Sequence, residues 1–352
     1  MKLFDCHCHV HLGPRGIAPL LETIPQPPLP PHTHHKHEAS LHNNVASFAG
    51  AAIMSTHPRD YPAVDSIVSN LRERSYRAVP CYGIHPWFLH EVLQVPEDDS
   101  NSFINDGEEW LVELKERLID HPDAIVGEIG LDGARWREEG ENDTTEKQSH
   151  DKEVDNNIWN RKLVLSCPMN LQRRAFEQQL LLAAELQRPV SIHVVRAWGD
   201  LLDSFDTVRE LMKQKYLLEE NEGVTDTLSK RRKKPKRLLL PPKIYFHAFS
   251  GKAGVVPSLL AACDKGNVPR EDVFFGFAPV VPNYFSPKTP SIMKQIGIHQ
   301  LVLETDLEDA SNAWDDLKRG VEGLATALDM DVCDVAEQTY QNAERLYFGH
   351  RS

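Results

Sequence analysis

Residues 2–9 read Lys-Leu-Phe-Asp-Cys-His-Cys-His, and the reading of this run decides the fold. It begins apolar and extended, so Lys2–His7 reads as a strand. No glycine-rich phosphate loop comes after it, which disfavours a doubly wound open sheet. Seven comparable runs recur along the chain: Ala49–Thr56, Arg77–Ile84, Ala124–Ile129, Pro189–Val194, Lys243–Phe249, Asp272–Phe277 and Gln300–Thr305. Helical spacing fills the intervals. Leu111, Leu114 and Leu118 share one face, as do Phe176, Leu180, Ala183 and Ala184. Leu201, Phe205, Val208 and Met212 repeat the pattern, and Leu317, Val321, Leu324 and Leu328 close it. Eight alternating β and α units predict an α/β chain folded as a (β/α)8 TIM barrel, with residues 1–352 as one domain.

Three segments interrupt the alternation and read as loop insertions. Residues 13–43 hold a Pro/His stretch, 135–168 are acidic and polar, and 216–242 end in a basic run followed by Leu-Leu-Leu-Pro-Pro. Such insertions are tolerated where they follow a barrel strand or its helix. His32, His34, His35 and His37 read as a solvated loop rather than a metal store, and the acidic stretch as solvated surface.

Composition narrows the function classes. The 352 residues carry 39 Lys+Arg against 52 Asp+Glu, a formal net charge of −13. Seven of those bases stand in one run, Lys230–Arg237, so the excess of acid elsewhere is larger still. A body so acidic offers no general basic surface for coating nucleic acid, and a phosphate substrate would need locally placed cations. Nothing approaches the roughly 20 apolar residues of a membrane helix. The start of the chain turns polar at once, unlike a secretory signal. Six cysteines without a Cys-x-x-Cys pair are not a disulfide framework. The expectation is an intracellular protein, cytoplasmic, nuclear or both. The 17 histidines stand out, because imidazole both ligates metals and carries protons near neutral pH.

The strand ends carry the chemistry. Residues i and i+2 of a strand point to one side, so His7 and His9 can share a metal at a barrel mouth. Alone, that pair would read equally well as two packed histidines, and His11 extends the alternation, leaving His9 and His11 as another pair. Cys6 and Cys8 alternate against the histidines and are expected outside the barrel as small core residues. The other strand ends are Gly127-Glu128-Ile129-Gly130-Leu131-Asp132, Ser191-Ile192-His193, Phe246-His247-Ala248-Phe249-Ser250-Gly251 and Leu303-Glu304-Thr305-Asp306. Packing does not favour His or a carboxylate at five strand ends, where unpaired polar groups cost several kcal/mol on a rough scale. In a barrel these ends form the catalytic face. Four His, one Glu and one Asp suit two divalent ions with the Glu between them.

The series Asp-x-His-x-His, Gly83-Ile84-His85-Pro86-Trp87, Gly-Glu-Ile-Gly-Leu-Asp, a strand-borne His, Phe-His-x-Phe-Ser-Gly and Glu-Thr-Asp resembles the TatD family of metal-dependent deoxyribonucleases, among the amidohydrolase-like barrels. The resemblance runs from about residue 3 to the C-terminus, interrupted by the insertions. It implies His7, His9, Glu128 and Asp306 on one metal and Glu128, His193 and His247 on the other, with Glu128 and Asp306 catalytic. It also implies hydrolysis of DNA ends, as a 3′–5′ exonuclease on single strands or 3′ tails. The family is described as Mg²⁺-dependent, whereas an imidazole-rich shell suits Zn²⁺ or Mn²⁺ by ligand softness. Fungal members with such insertions are candidate partners of a cell-cycle ubiquitin-ligase subunit, which implies a protein partner through the insertions.

The sequence departs from the family around this shell. Gly133-Ala134-Arg135 replaces an aromatic residue after Gly-Leu-Asp, and Leu307-Glu308-Asp309 replaces Ala-Pro after Glu-Thr-Asp. An Arg usually lies two positions after the fifth-strand His, but Arg196 lies three after it. The expectation is an intact metal shell with an altered substrate rim. His85 is expected to bind a substrate phosphate, while Pro86 and Trp87 shape its loop. Arg196 is a phosphate clamp or a surface ion pair. Other amidohydrolase-type hydrolysis and a non-enzymatic scaffold are the competing functions.

The basic run Lys230–Arg237 reads as a nuclear import signal. A fluorescent fusion lacking these eight residues is expected to lose nuclear enrichment. An unchanged distribution would remove that role.

Overall fold

The computed structural model describes residues 1–24, 46–93, 108–134, 167–222 and 237–349. Among these, eight strands form one sheet in chain order: β1 (Lys2–Cys8), β2 (Ser47–Met54), β3 (Arg77–Tyr82), β4 (Ile125–Asp132), β5 (Val190–Val195), β6 (Ile244–Phe246), β7 (Val273–Gly276) and β8 (Leu301–Val302). Every ladder is parallel. The sheet curls back on itself beyond β8. Cys6 N–H donates to the Leu303 carbonyl and Asp306 N–H to the His7 carbonyl, both at 2.9 Å. The fold is the (β/α)8 barrel that the alternation predicts.

The helices are α1 (Ala18–Thr23), α2 (Tyr61–Glu73), α3 (Leu89–Val92), α4 (Glu108–Asp120), α5 (Met169–Glu185), α6 (Trp198–Glu222), α7 (Val255–Lys265), α8 (Thr289–Ile296), α9 (Ala313–Leu328) and α10 (Val332–Ala343). Their predicted apolar stripes face the sheet. Leu114 and Leu118 on α4, Phe176 and Leu180 on α5, Phe205 and Val208 on α6, and Leu317 and Val321 on α9 are all buried in one continuous core. A second, smaller cluster fills the barrel interior, with Phe4, Ala52, Val79, Ile125, Tyr245, Phe274 and Val302 drawn from different strands. Leu346 and Tyr347, from the last turn, complete that plug. Such packing makes the barrel a solid body whose open face is the strand C-terminal end. Among the described residues no helix is long and apolar enough to cross a membrane.

Three local expectations are corrected. Asp5 pairs with Ala51 and Cys8 with Ile53, so between these pairs β1 uses one residue more than β2 and is bulged. Cys6 therefore packs into the interior cluster instead of facing outward, whereas Cys8 joins the outer core. The stretch expected to be an irregular insertion from residue 13 begins with helix α1, and α6 runs on to Glu222, past residue 216. Residues 25–43, 135–166 and 223–236 of the three insertions, including most of the basic run, lie outside the described residues. The strands β6 and β8 are also shorter than their apolar runs, because the chain turns toward the barrel mouth after Phe246 and Val302.

Tyr347 is the stopper of the closed end. Its hydroxyl donates to the Cys6 carbonyl at 2.5 Å and its ring lies 5.7 Å from that of Phe4. Tyr347→Ala is expected to cost about 3–5 kcal/mol of stability, from lost burial and the cavity left behind. Tyr347→Phe should cost about 1–3 kcal/mol, by leaving the Cys6 carbonyl without its donor. Urea unfolding measures both, and equal stabilities for parent and Tyr347→Ala would dismiss the plug.

Candidate metal centre

Six predicted residues converge at the open face. His7 and His9 arrive from the bulged end of β1, Glu128 from β4, His193 from β5, His247 from the turn after β6 and Asp306 from the chain beyond β8. Gly130 makes the β4–β5 approach possible: a Cβ there would stand 1.9 Å from the His193 carbonyl oxygen. Asp306 has φ +57°, a left-handed conformation that Asp tolerates better than most residues.

Glu128 stands at the centre with its two oxygens facing different partners. Oε2 lies 3.0 Å from His9 Nε2 and 3.5 Å from His7 Nε2. Oε1 lies 3.0 Å from His193 Nδ1, 2.5 Å from His247 Nε2 and 3.4 Å from His85 Nε2. Asp306 Oδ1 joins the first side, 3.6 Å from His7 Nε2 and 3.7 Å from His9 Nε2. The His7 and His9 Nε2 atoms are 3.1 Å apart. Groups with ligand atoms close enough to share an ion are His7–His9–Asp306, His85–Glu128–His193 and His7–His247–Glu304.

The rear nitrogens are anchored. His9 Nδ1–H donates to the Met54 carbonyl at 3.0 Å, His7 Nδ1 shares a hydrogen bond with Ser191 Oγ at 3.0 Å, and His193 Nε2 lies 3.4 Å from Asp132 Oδ2. An imidazole held at one nitrogen presents the other to a metal, as ligand histidines do. Neither His247 nitrogen makes a well-angled hydrogen bond, although the side chain is buried. His85 has the opposite tautomer: its Nδ1 accepts the Trp87 N–H at 3.2 Å, so in the neutral ring Nε2 carries the proton.

The electrostatics favour a cation. Burial works against a proton on His9, but Glu128, Asp306 and Glu308 outweigh it and hold the pKa up at about 9. Burial opposes the proton on His193 as well, and Asp132 and Glu128 raise it to about 10. A field that holds protons there would also hold divalent ions. Burial and the neighbouring His247 keep His7 well below its ordinary value, and burial pushes His85 down to about 4. Burial opposes the Glu128 charge, but His247, His85 and His193 overcome it and hold the carboxyl well below the usual range. Asp306 is pushed up by burial against the pull of His247 and His9. The donors are imidazole and carboxylate without thiolate, a set that fits borderline and harder divalent metals.

Other predicted positions fall outside this cluster. His11 turns to Asp60, 3.5 Å away, so the chain brings together His7 and His9 rather than His9 and His11. Arg196 is exposed beyond β5 and does not line the cleft above the centre. That cleft encloses about 470 Å³, part of it open to solvent, and includes Leu12, Thr56, Trp87, Phe88 and Glu308 with the centre itself. Sequence reasoning assigned no role to Asp5, Asp132, Ser191 or Glu304. All four stand in the strand-end motifs, but only the fold shows that they support other side chains. Glu304 accepts the Ala248 N–H at 2.7 Å and the Tyr245 hydroxyl, bracing the turn that carries His247.

The family model of TatD-related DNases matches residues 4–348. The Cut9-interacting protein scn1 of Schizosaccharomyces pombe is 27% identical over 240 residues, covering 56% of this chain and 63% of that protein. The match thus spans less than two thirds of that relative's length. Among solved structures, an uncharacterized amidohydrolase from Saccharomyces cerevisiae superposes with TM-score 0.61 at 15% identity, covering 99% of this chain and 100% of the other. A TatD homologue from Escherichia coli K12 gives 0.54 at 15% identity, with 98% and 97% covered. A TatD-family hydrolase from Entamoeba histolytica gives 0.52 at 16%, with 86% of each chain covered. These structural likenesses bear on the fold.

Protein saturated with Mn²⁺ or Zn²⁺ and then desalted is expected to retain more than one equivalent by elemental analysis. His9→Ala and His193→Ala should each lower that figure by about one, since they stand on opposite oxygens of Glu128. A reproducible zero for every metal tried would sink the dinuclear reading.

Proposed function

The chain belongs to the TatD-related DNase family, and on that premise we propose that it hydrolyses phosphodiester bonds at DNA ends, as a metal-dependent 3′–5′ exonuclease acting on single strands. One observation carries the reading: the two oxygens of Glu128 face two separate sets of imidazoles across a buried centre. His7, His9 and Asp306 would hold one divalent ion and His193 and His247 the other, with one Glu128 oxygen for each. Bound there, the ions would supply Lewis-acid charge and make an attacking water acidic enough to deprotonate near neutral pH. The Asp306 carboxylate would also be the group to accept that proton. The Nε2–H of His85 is placed to donate to a phosphoryl oxygen. Asp132, Ser191 and the Met54 carbonyl hold the imidazoles so that they need not reorganise during turnover. Hydrolysis of another ester or amide by the same shell is the neighbouring alternative.

A second reading, binding of a protein partner, is favoured by the name of the fission-yeast relative, which describes it as Cut9-interacting. The two readings separate cleanly: a partner retained after the ligands are replaced would belong to the scaffold role.

Glu128→Gln tests the enzyme reading. An amide cannot offer a charged oxygen to each side, so the rate on a 3′-tailed oligonucleotide is expected to fall at least about a hundredfold. Melting temperature and metal content are measured on the same samples. A folded variant with parental metal content and at least half the parental rate would refute the bridging role.

A further inference from the structure

Two glutamines are buried in the outer layer of the barrel. Gln172 and Gln179 lie on α5 about two turns apart, and so on one face of the helix, and each is 1% exposed. A buried amide without partners is costly, and both find them on the backbone at strand ends. Gln172 Oε1 accepts the Asp132 N–H at 2.8 Å, and its Nε2 donates to the Asp132 carbonyl at 3.2 Å and to the Cys167 carbonyl at 2.7 Å. Gln179 Oε1 accepts the Ile84 N–H at 2.8 Å, and its Nε2 donates to the Ile84 carbonyl at 3.2 Å. Each amide grips one residue at both peptide groups, as a neighbouring strand would. The ladder between β3 and β4 ends at the Tyr82–Val126 pair, so β4 has outrun that partner where Gln172 meets it.

The two grips act on different targets. Asp132 Oδ2 lies 3.4 Å from His193 Nε2, and His193 Nδ1 lies 3.0 Å from Glu128 Oε1. The Trp87 indole N–H and the Ala134 N–H steady the Asp132 oxygens, at 2.6 and 2.8 Å. Gln172 holds the backbone from which those oxygens extend. Ile84 instead precedes His85, which is outside the ligand set proposed for the two ions. We propose that Gln172 is a positioning residue for the ion on the His193 side: by gripping Asp132 it fixes the His193 ring. Gln179, equally buried on the same helix face, holds its loop without setting the affinity for either ion. The proposal rests on the two-ion reading above and adds to it a residue that touches neither ion nor substrate. An imidazole whose rear partner shifts loses its orientation and part of its basicity, which typically weakens metal binding about tenfold to a hundredfold.

Full-length parent, Gln172→Met and Gln179→Met are stripped of metal and titrated with Mn²⁺, the free ion being read by electron paramagnetic resonance. Methionine keeps the length of the side chain and removes the amide. Melting temperatures are taken on the metal-free samples, and both variants are expected to melt below the parent by similar amounts. In Gln172→Met one Mn²⁺ should bind about tenfold or more weakly, while the other stays within about twofold of the parent. Gln179→Met should keep both within about twofold. His193→Ala removes the target, so adding Gln172→Met to it should not weaken the remaining ion further. Gln172→Asn, whose amide is too short for the same grip, serves where Gln172→Met does not fold and should show the same selective loss. Parental affinities in a folded Gln172 variant, an equal loss at both ions, a further loss in the His193→Ala background, or the same loss in Gln179→Met would each overturn the positioning role. A parent that binds no Mn²⁺ overturns the two-ion reading and this proposal together. A parent that binds two, with Gln172→Met unchanged, removes the proposal alone.

Discussion

Closure of the barrel between its first and last strands is the constraint on which the centre depends. The Asp5 carboxylate accepts the Thr305 N–H at 3.0 Å and the Thr305 hydroxyl at 2.6 Å, and also the His7 N–H at 3.2 Å. Next to this clamp, Asp306 N–H reaches the His7 carbonyl and His9 N–H reaches the Leu307 carbonyl. Residues at opposite ends of the chain are thereby locked side by side, and the Asp306 carboxylate comes to face His7 and His9. An open sheet with the same strands would leave Asp306 on one edge and the two histidines on the other. The barrel therefore serves the site by joining its ends, beyond displaying loops.

The strain on the site is electrostatic. Glu128, Glu304 and Asp306 are brought into a buried space with four histidines, and an isolated buried charge is strongly unfavourable. Burial pushes Glu304 well above its ordinary range, with Asp306 adding to the effect, whereas Glu128 is held down by the imidazoles around it. The three acids thus divide their roles by surroundings. Glu128 stays ionised and central; Glu304 is braced by Tyr245 and Ala248 and supports the His247 turn. The anchored rear nitrogens of His7, His9 and His193 restrict each ring to the orientation that faces the centre. Pre-arranged polar groups of this kind are common where activity needs them.

Much of this was legible in the chain because barrels repeat one simple rule. Eight apolar runs, each followed by a helical stripe, are a period-based signal, and ligand-type residues at strand ends are a position-based one. Both survive without knowledge of tertiary contacts. The failures share a cause. Alternation counted from the histidines puts Cys6 outside, but the bulge between Asp5 and Cys8 leaves Cys6 in the inward phase of Phe4 and still brings His7 and His9 to the centre, and a bulge has no marker in Asp-Cys-His-Cys-His. His11 had the right type and spacing, yet Asp60 on the neighbouring loop claims it. Asp132 and Trp87 were visible in their motifs, but their hydrogen bond joins residues 45 positions apart, a relation that only the fold creates. Helix α6 continues into a stretch read as a loop because its polar, Lys- and Glu-rich end is compatible with either state.

The same contacts bear on how a substrate would be captured. With a formal net charge of −13, and with Glu308 lining the cleft beside the centre, the protein's long-range field opposes a polyanion rather than steering it in. Recognition of a phosphodiester, on the proposed function, would then be local, concentrated where divalent charge would sit. The end of a strand presents fewer phosphates to such a field than its interior does. The interior of a long strand adds phosphates that gain nothing from an acidic surface. Under the proposed exonuclease reading, charge would thus favour the end of a strand over its interior.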